Sequence, residues 1–216
     1  MISKFKLVEL SPRRGYATVL MLIGSTVISF AGLVVRNIET SDNWQINFYR
    51  AMAFGLAISI VLFFRYGKNA PMQLKGIGLQ GVLAAIFLAC ASISFLQAIT
   101  NTTVAATTFT LSSIPFLTAI MAWLYLGERI NKPTVLSMVI AAIGISIMFV
   151  QGFGTVSIYG NFMALICAIG FSSYATMIRR NNGSEMLPTL ILSNLIIMLV
   201  ALLLTWDNLL ISWNDL

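Results

Sequence analysis

Arg50 is the one charged residue inside the long hydrophobic segments of this sequence. A charged side chain within a bilayer is costly unless it is paired or hydrated, so such a residue is a candidate for function. Two interpretations stay open. The guanidinium binds an anionic group of a solute or closes an outer gate, or it extends to the membrane surface beside Trp44.

Ser112, Ser113 and Pro115 form a second candidate group, in the fourth hydrophobic segment. Proline has no N–H to donate to the carbonyl of Leu111, so the helix is weakened at this point. Freed carbonyls and hydroxyls at mid-membrane depth commonly coordinate ligands. The alternative is a packing kink in which a serine side chain satisfies the carbonyl.

Small and polar residues recur at helical spacing on two further segments. The first segment places Ser25 and Ser29 on such a stripe, and the sixth segment places Ser172 on another. Such stripes are typical of close helix contacts in membranes, and the competing interpretation is that both line a central path. The complete stripes are Thr18, Ser25, Ser29 and Gly32, and Asn161, Ala168, Ser172 and Thr176.

Tyr174 and Asn194 are the remaining candidates for a solute path. Tyr174 lies one turn from a segment end, where it either lines a cavity or belongs to an aromatic belt at the membrane surface. Asn194 lies near the middle of the seventh segment. An amide there is unfavourable unless it is hydrogen-bonded, so it serves a cavity or a helix contact.

The residue types that are missing from the hydrophobic segments exclude several classes of chemistry. The sequence has no His, and its two Cys lie apart in apolar surroundings, so we expect no metal site, no cofactor and no disulfide. No Asp or Glu lies in mid-segment, so an intramembrane enzyme lacks a pair of groups for acid–base catalysis. Proton coupling through these segments is disfavoured for the same reason.

The composition requires a bilayer to hold these residues. Of the 216 residues 58% are hydrophobic and only 9% are charged, and the mean hydropathy is +0.90. A helix needs about 20 apolar residues to cross the hydrocarbon core, which predicts an all-α integral membrane protein with seven transmembrane helices. The seven segments are 16–35, 46–64, 77–98, 103–126, 134–151, 158–178 and 187–206.

The positions of the basic residues predict the orientation. Most of the 13 Lys and Arg fall before the first segment or after the second, fourth and sixth, and cytoplasmic loops collect such residues. We therefore expect the N-terminus in the cytoplasm and residues 207–216 in the periplasm, with no role in nucleic-acid binding. These basic residues are Lys4, Lys6, Arg13, Arg14, Arg65, Lys68, Lys75, Arg129, Lys132, Arg179 and Arg180.

A weak internal match indicates a repeat. Residues 20–37 align with residues 164–181, pairing Arg36 with Arg180 and Asn37 with Asn181. Five segments separate the start of the two copies, so the copies have opposite orientations in the membrane. Inverted repeats of this kind are frequent in secondary transporters. In this alignment Asn194 is the equivalent of Arg50.

Several motifs resemble the EamA domain of the drug/metabolite transporter superfamily. They are the Ser-Ser-x-Pro of 112–115, the Leu-Gly-Glu-Arg of 126–129 followed by a segment rich in small residues, and the Asn-Phe-Tyr-Arg of 47–50. The resemblance implies a first five-helix repeat at 16–151 and the first two helices of an inverted repeat at 158–206. Three more helices would complete the ten of that family, so we expect a truncated chain.

The resemblance also implies a function and partners. We expect a carrier of small organic solutes or metabolites in the bacterial inner membrane, working by alternating access between inverted repeats. The alternative is a truncated or partner-dependent membrane subunit without transport of its own. Expected partners are the lipid bilayer, an unidentified solute, and a second copy or a completing chain. Glu128 and Arg129 are expected to be structural, with Arg129 and Lys132 neutralising Glu128.

Overall fold

The computed structural model describes residues 18–19, 21–26, 42–67, 77–151, 157–180 and 186–205. The chain divides into two units, Met1–Glu39 and Thr40–Leu216. In the first unit the described residues are helical, in agreement with the first hydrophobic segment. All the remaining described residues belong to the second unit.

The second unit is built from helices, and no strand occurs among the described residues. This confirms the all-α prediction. The second predicted segment corresponds to α1 and the third to α2, the fourth is divided between α3 and α4, and the last three correspond to α5, α6 and α7. The helices are α1 (Asn43–Tyr66), α2 (Gly78–Asn101), α3 (Val104–Leu111), α4 (Ile114–Leu126), α5 (Lys132–Gln151), α6 (Ile158–Arg180) and α7 (Met186–Leu204).

Five stretches of the described residues are long and apolar enough to cross a bilayer. They are α1, α2, the joined α3 and α4 (Val104–Leu126), α6, and Leu187–Leu204 of α7. Among the described residues of α5, Lys132–Gly144 is a shorter apolar stretch. The side chains that point outward from these helices are strongly apolar, as a lipid-facing surface must be: Phe64 is 84% exposed and Leu79 77%.

Close backbone approach between α2 and α6 forms the centre of the unit. α2 packs most extensively on α6 and also contacts α7, whereas α1 packs chiefly on α7. A Cβ added to Gly170 of α6 would lie 2.9 Å from the carbonyl oxygen of Phe87, so only glycine fits without a shift. Ala85 and Ala89 of α2 are buried, so small residues form the contact face of this helix.

α2 and α3 are joined by two residues, Thr102 and Thr103. Thr103 caps α3, its hydroxyl accepting the amide N–H of Ala106 at 3.0 Å. This short connection does not produce a close hairpin of the two helices. α3 makes few contacts with α2 and packs mainly on α6, as α4 does.

Polar contacts at the helix ends establish the relative directions of the helices. At one end, Asn43 Nδ2 donates to Gln97 Oε1 at 3.1 Å, and the Thr102 hydroxyl donates to Asn161 Oδ1 at 3.1 Å. These bonds join the start of α1 and the start of α6 to the end of α2. At the opposite end Glu128 meets Arg179. The helices therefore alternate in direction, as a membrane bundle with short loops requires.

Candidate functional site around Arg50

Arg50 is held inside the bundle by neutral acceptors on two helices. Its Nη2 donates to the hydroxyl of Ser92 at 2.7 Å and to the carbonyl oxygen of the same residue at 2.9 Å. A third bond, of 3.1 Å, goes to Oδ1 of Asn47, one turn earlier on α1. Ser92 lies on α2, about 14 Å from the end of that helix at 1.5 Å per residue, so the guanidinium is bonded within the span.

Asn47 contributes an unused hydrogen-bond donor. The residue is completely buried, and its Nδ2 has no partner among the described residues. The contact between Oδ1 and Arg50 settles which amide atom faces the guanidinium, because the reverse arrangement would bring two donors together. A buried donor without an acceptor costs about 1–3 kcal/mol, so this arrangement is unfavourable unless something else supplies an acceptor.

A cavity of about 270 Å³ lies beside Ser92, and Arg50 itself is not part of its lining. Ser92, which binds Arg50, lines it from α2, and Cys167 lines it from α6. The Cys167 sulfur lies close enough to the guanidinium for an electrostatic interaction. The rest of the lining is apolar, consisting of Leu88, Ala91, Phe95, Leu111, Ile114 and Phe171.

The helix break predicted from Pro115 is observed beside this cavity. α3 ends at Leu111 and α4 begins at Ile114, so Ser112 and Ser113 form a turn between them. Leu111 and Ile114, which flank the turn, both line the cavity. The serine hydroxyls bond within the chain, Ser112 to the carbonyl of Phe109 at 2.6 Å and Ser113 to that of Thr110 at 2.7 Å.

Ser172 connects α6 to the start of α4. Its hydroxyl lies 2.7 Å from the carbonyl oxygen of Ala168, in its own helix, and 3.1 Å from that of Ile114. Ser172 is buried and is not part of the cavity lining. The small-residue stripe of α6 is thus a packing face at this position, bonded to the helix break that borders the cavity.

Asn194 lies in a different cavity, of about 190 Å³, between α1 and α7. Gly55 and Ser59 of α1 face it there, and a Cβ added to Gly55 would be 3.5 Å from the Cβ of Asn194. The amide nitrogen donates to the carbonyl of Leu190, one turn earlier, at 2.8 Å. The structure therefore does not bring Asn194 to Arg50, although the repeat alignment makes the two equivalent.

None of the remaining candidates for a solute path is placed at this cavity. One is absent from its lining, one belongs to the first unit, and one falls outside the described residues. The Tyr174 ring packs edge-on against that of Phe171 at 5.9 Å and is not part of the cavity lining. Ser25 belongs to the first unit, where its hydroxyl donates to the carbonyl of Leu22 at 2.9 Å. Ser29 falls outside the described residues.

Glu128 has a different partner from the one expected. Gly127 ends α4 in the left-handed conformation, at φ +71°, which favours glycine. Nη2 of Arg179, on α6, then bonds both carboxylate oxygens of Glu128, at 2.8 and 3.2 Å. The expectation that Arg129 and Lys132 neutralise Glu128 is wrong in this respect. The sequence alone does not indicate that the ends of α4 and α6 are adjacent.

A polar cavity of about 240 Å³ surrounds this ion pair. Arg129, Asn131 and Pro115 contribute to its lining. The side chains of Arg179 and Glu128 are 54% and 47% exposed, so solvent screens their attraction and the pair contributes little stability. No group of three or more His, Cys, Asp or Glu among the described residues could hold a metal ion.

Sequence reasoning missed Ser92, Cys167 and the separate role of Asn47. Ser92 continues the stripe of Gly81, Ala85 and Ala89 by one further helical step of three residues. That spacing could have placed it on the contact face of α2. Asn47, three residues before Arg50, shares a helix face with it for the same reason.

One comparison with known proteins identifies a family. The sequence model of the EamA-like transporter family matches residues 15–150. No curated protein and no solved structure matches the chain. The family match covers more than half of the sequence, and together with the membrane-span helices it indicates a multi-pass membrane protein of the transporter kind rather than an enzyme. The chain belongs to the EamA-like transporter family.

Proposed function

We propose that this protein is a secondary transporter of small organic solutes or metabolites in the bacterial inner membrane. One observation carries the proposal: a partly buried arginine is bonded to Ser92, and Ser92 lines a cavity between membrane-spanning helices, next to a broken helix. An intramembrane charge with a cavity beside it is the usual mark of a solute path. Broken helices at such sites are frequent in carriers.

Alternating access between inverted repeats is the mechanism we propose. The first repeat would comprise residues 16–151, and residues 158–206 would begin the second. The turn at Ser112 and Ser113 supports this mechanism. Pro115 donates no backbone hydrogen bond there, and the Ser113 N–H bonds Thr110 only three residues earlier, so the helix resists a change of direction less at this point. The contact of α1 with α7 joins helices that hold equivalent positions in the two repeats.

A seven-span arrangement with a cytoplasmic N-terminus completes the proposal. It rests on the distribution of basic residues and on the alternating directions of the described helices. Reporter fusions test it directly. A fusion after Asn131 should report a cytoplasmic location, and one after Leu216 should report a periplasmic location. A cytoplasmic signal from the second fusion would contradict the seven-span count.

Transport itself is tested in membrane vesicles from cells that express the chain. A panel of labelled amino acids, organic acids, nucleosides and organic cations is offered with and without expression, at equal protein content. We expect at least one solute to move saturably, and Arg50→Ala to abolish that movement. Arg65→Gln, a charge removal near the end of the same helix, is the matched control and should leave it intact.

Two other outcomes of this assay have clear meanings. Movement that appears only when a second membrane protein is co-expressed would favour the partner-dependent subunit. Vesicles that match the empty control for every solute, with folded protein present, would contradict transport by this chain.

A further inference from the structure

We infer that the solute bound at this site is an organic anion: a compact apolar body that carries a carboxylate or phosphate group held by Arg50. The inference rests on the proposed transport function and specifies the substrate class of the same site. Three features of the described residues support it, namely the charge balance around Arg50, the free donor of Asn47 and the lining of the neighbouring cavity.

The positive charge of Arg50 is not balanced within the described residues. All three hydrogen bonds of the guanidinium leave from Nη2 and go to neutral oxygens. No carboxylate in the described part of the chain forms an ion pair with Arg50. In a region of low dielectric constant, an uncompensated cation attracts an anion strongly.

Two further nitrogens of Arg50 remain available to an oxyanion. Within the described residues, Nε and Nη1 of Arg50 contact no acceptor. Their N–H groups lie on different edges of the planar guanidinium, so each can donate singly to an oxygen of a carboxylate or phosphate, which is a stronger acceptor than a neutral oxygen. Nδ2 of Asn47 adds a third donor on the same face of α1, and an oxyanion could also satisfy that buried group.

The lining of the cavity favours a solute with an apolar body. Besides Ser92 and Cys167, its lining consists of aliphatic and aromatic side chains contributed by α2, α3, α4 and α6. Such a lining binds hydrocarbon and contains no carboxylate that could pair with an ammonium group. An inorganic anion would satisfy Arg50 and leave this apolar volume unfilled. A cationic solute would meet the guanidinium with repulsion.

Cys167 provides a test that needs no transport. Its thiol lines the cavity, whereas Cys90, the other cysteine, is exposed on α2. The full chain carrying Cys90→Ala is purified in a neutral detergent. It is then treated with two methanethiosulfonates of similar size, the anionic sulfonatoethyl reagent and the cationic trimethylammonioethyl reagent. Mass spectrometry follows the modification of Cys167, and a Cys167→Ala protein that retains Cys90 gives the reference rates.

We expect the anionic reagent to modify Cys167 at least about tenfold faster than the cationic reagent, relative to the rates at Cys90, because of the nearby cation. Arg50→Gln should remove this preference. Arg50→Lys, which retains the charge, should keep most of it, and Arg65→Gln should leave it unchanged. The ratio in the unsubstituted Arg50 protein stands by itself if Arg50→Gln does not fold.

A competition experiment identifies the anionic group. Phenylacetate and phenyl phosphate are each added before a neutral methanethiosulfonate, with phenylacetamide as the uncharged counterpart. Slower modification with either anion, and not with the amide, would support the inference and show which oxyanion is preferred. Protection by neither anion, or equal protection by the amide, would contradict it.

Failure of this inference is distinguishable from failure of the transport proposal. Equal rates for the two charged reagents would overturn the inference, as would a Cys167 that reacts only after denaturation. A protein that transports only neutral or cationic solutes would keep the proposed function and lose the substrate class. An anion preference without any transport would keep the site and remove the function.

Discussion

Arg50 and Ser92 form a contact in which one side-chain nitrogen of α1 binds both oxygens of a single residue of α2. The distances are 2.7 Å to the Ser92 hydroxyl and 2.9 Å to its carbonyl. α1 otherwise packs mainly on α7 and contacts α2 over a small area. This contact therefore ties α1 to the centre of the unit as well as orienting the guanidinium.

Replacing Ser92 tests how much its hydroxyl contributes to the contact between α1 and α2. Ser92→Ala removes one of the three acceptors of Nη2 and keeps the carbonyl, so we expect a loss of about 0.5–1.5 kcal/mol in the free energy of unfolding. Denaturant titration in detergent measures it. Ser137→Ala is the control, because that exposed hydroxyl bonds only within α5, at 3.0 Å. An unchanged stability would mean that the Ser92 carbonyl and Asn47 hold Arg50 without the hydroxyl.

The α2–α6 contact should not tolerate a methyl group at Gly170. The added Cβ would lie 2.9 Å from the Phe87 carbonyl oxygen and 3.1 Å from the Cβ of Ala91. We expect Gly170→Ala to lower the free energy of unfolding by about 1–3 kcal/mol, because two backbones must separate. Gly144→Ala is the matched control, since its Cβ would be 3.5 Å from the Phe109 ring. Equal melting temperatures for the two variants would contradict this packing.

The bond between Thr102 and Asn161 should show coupling in a double-mutant cycle. Both residues are buried, and the Thr102 hydroxyl donates to Asn161 Oδ1 at 3.1 Å. We expect Thr102→Val and Asn161→Ala each to cost about 1–3 kcal/mol in the free energy of unfolding, because each leaves a buried polar group without its partner. The double variant should cost less than the sum. Strict additivity would show that the two side chains act independently.

We expect the ion pair of Glu128 and Arg179 to contribute little to the free energy of unfolding. We also expect Glu128 to pair specifically with Arg179. We expect Glu128→Gln to cost no more than about 1 kcal/mol, because both side chains are half exposed. Exchanging the charges, with Glu128→Arg and Arg179→Glu together, should recover most of the loss seen for Glu128→Arg alone. Arg129→Glu in place of Arg179→Glu should give no recovery, since the bond goes to Arg179.

Pro115 should account for part of the break between α3 and α4. Pro115→Ala restores an N–H that can donate to the Leu111 carbonyl. We expect the variant to fold with unchanged or slightly higher stability and to show slower amide exchange over residues 112–117. Hydrogen–deuterium exchange with peptide mapping measures this. Exchange that stays as fast as in the parent protein would show that Ser112 and Ser113 alone maintain the break.

The sequence was sufficient to predict those features that depend on one segment at a time. Hydrophobic length identified the helices α1, α2, α6 and α7, and the missing N–H of Pro115 placed the break in the fourth segment within a few residues. The fourth segment was predicted to end at residue 126, and α4 ends at Leu126.

Features that depend on which helices are neighbours could not be predicted in this way. Arg179 is far from Glu128 in sequence, so the basic residues next to Glu128 were the expected partners. The packing of α4 on α6 brings Arg179 to Glu128 instead. Likewise, the repeat alignment related Asn194 to Arg50, but their surroundings differ because one faces Gly55 and the other Ser92. Which residues pair across helices depends on how the helices pack. The spacing of residues within one helix does not give that information.

The hydroxyl of Ser172 has a single proton and two carbonyl oxygens within reach, one in α6 at Ala168 and one in α4 at Ile114. Only one of them can receive that proton at a given moment. If α4 moves away, the proton still has an acceptor in its own helix, so no buried donor is stranded. Separation of α4 from α6 at Ser172 alone would therefore cost little in hydrogen bonding.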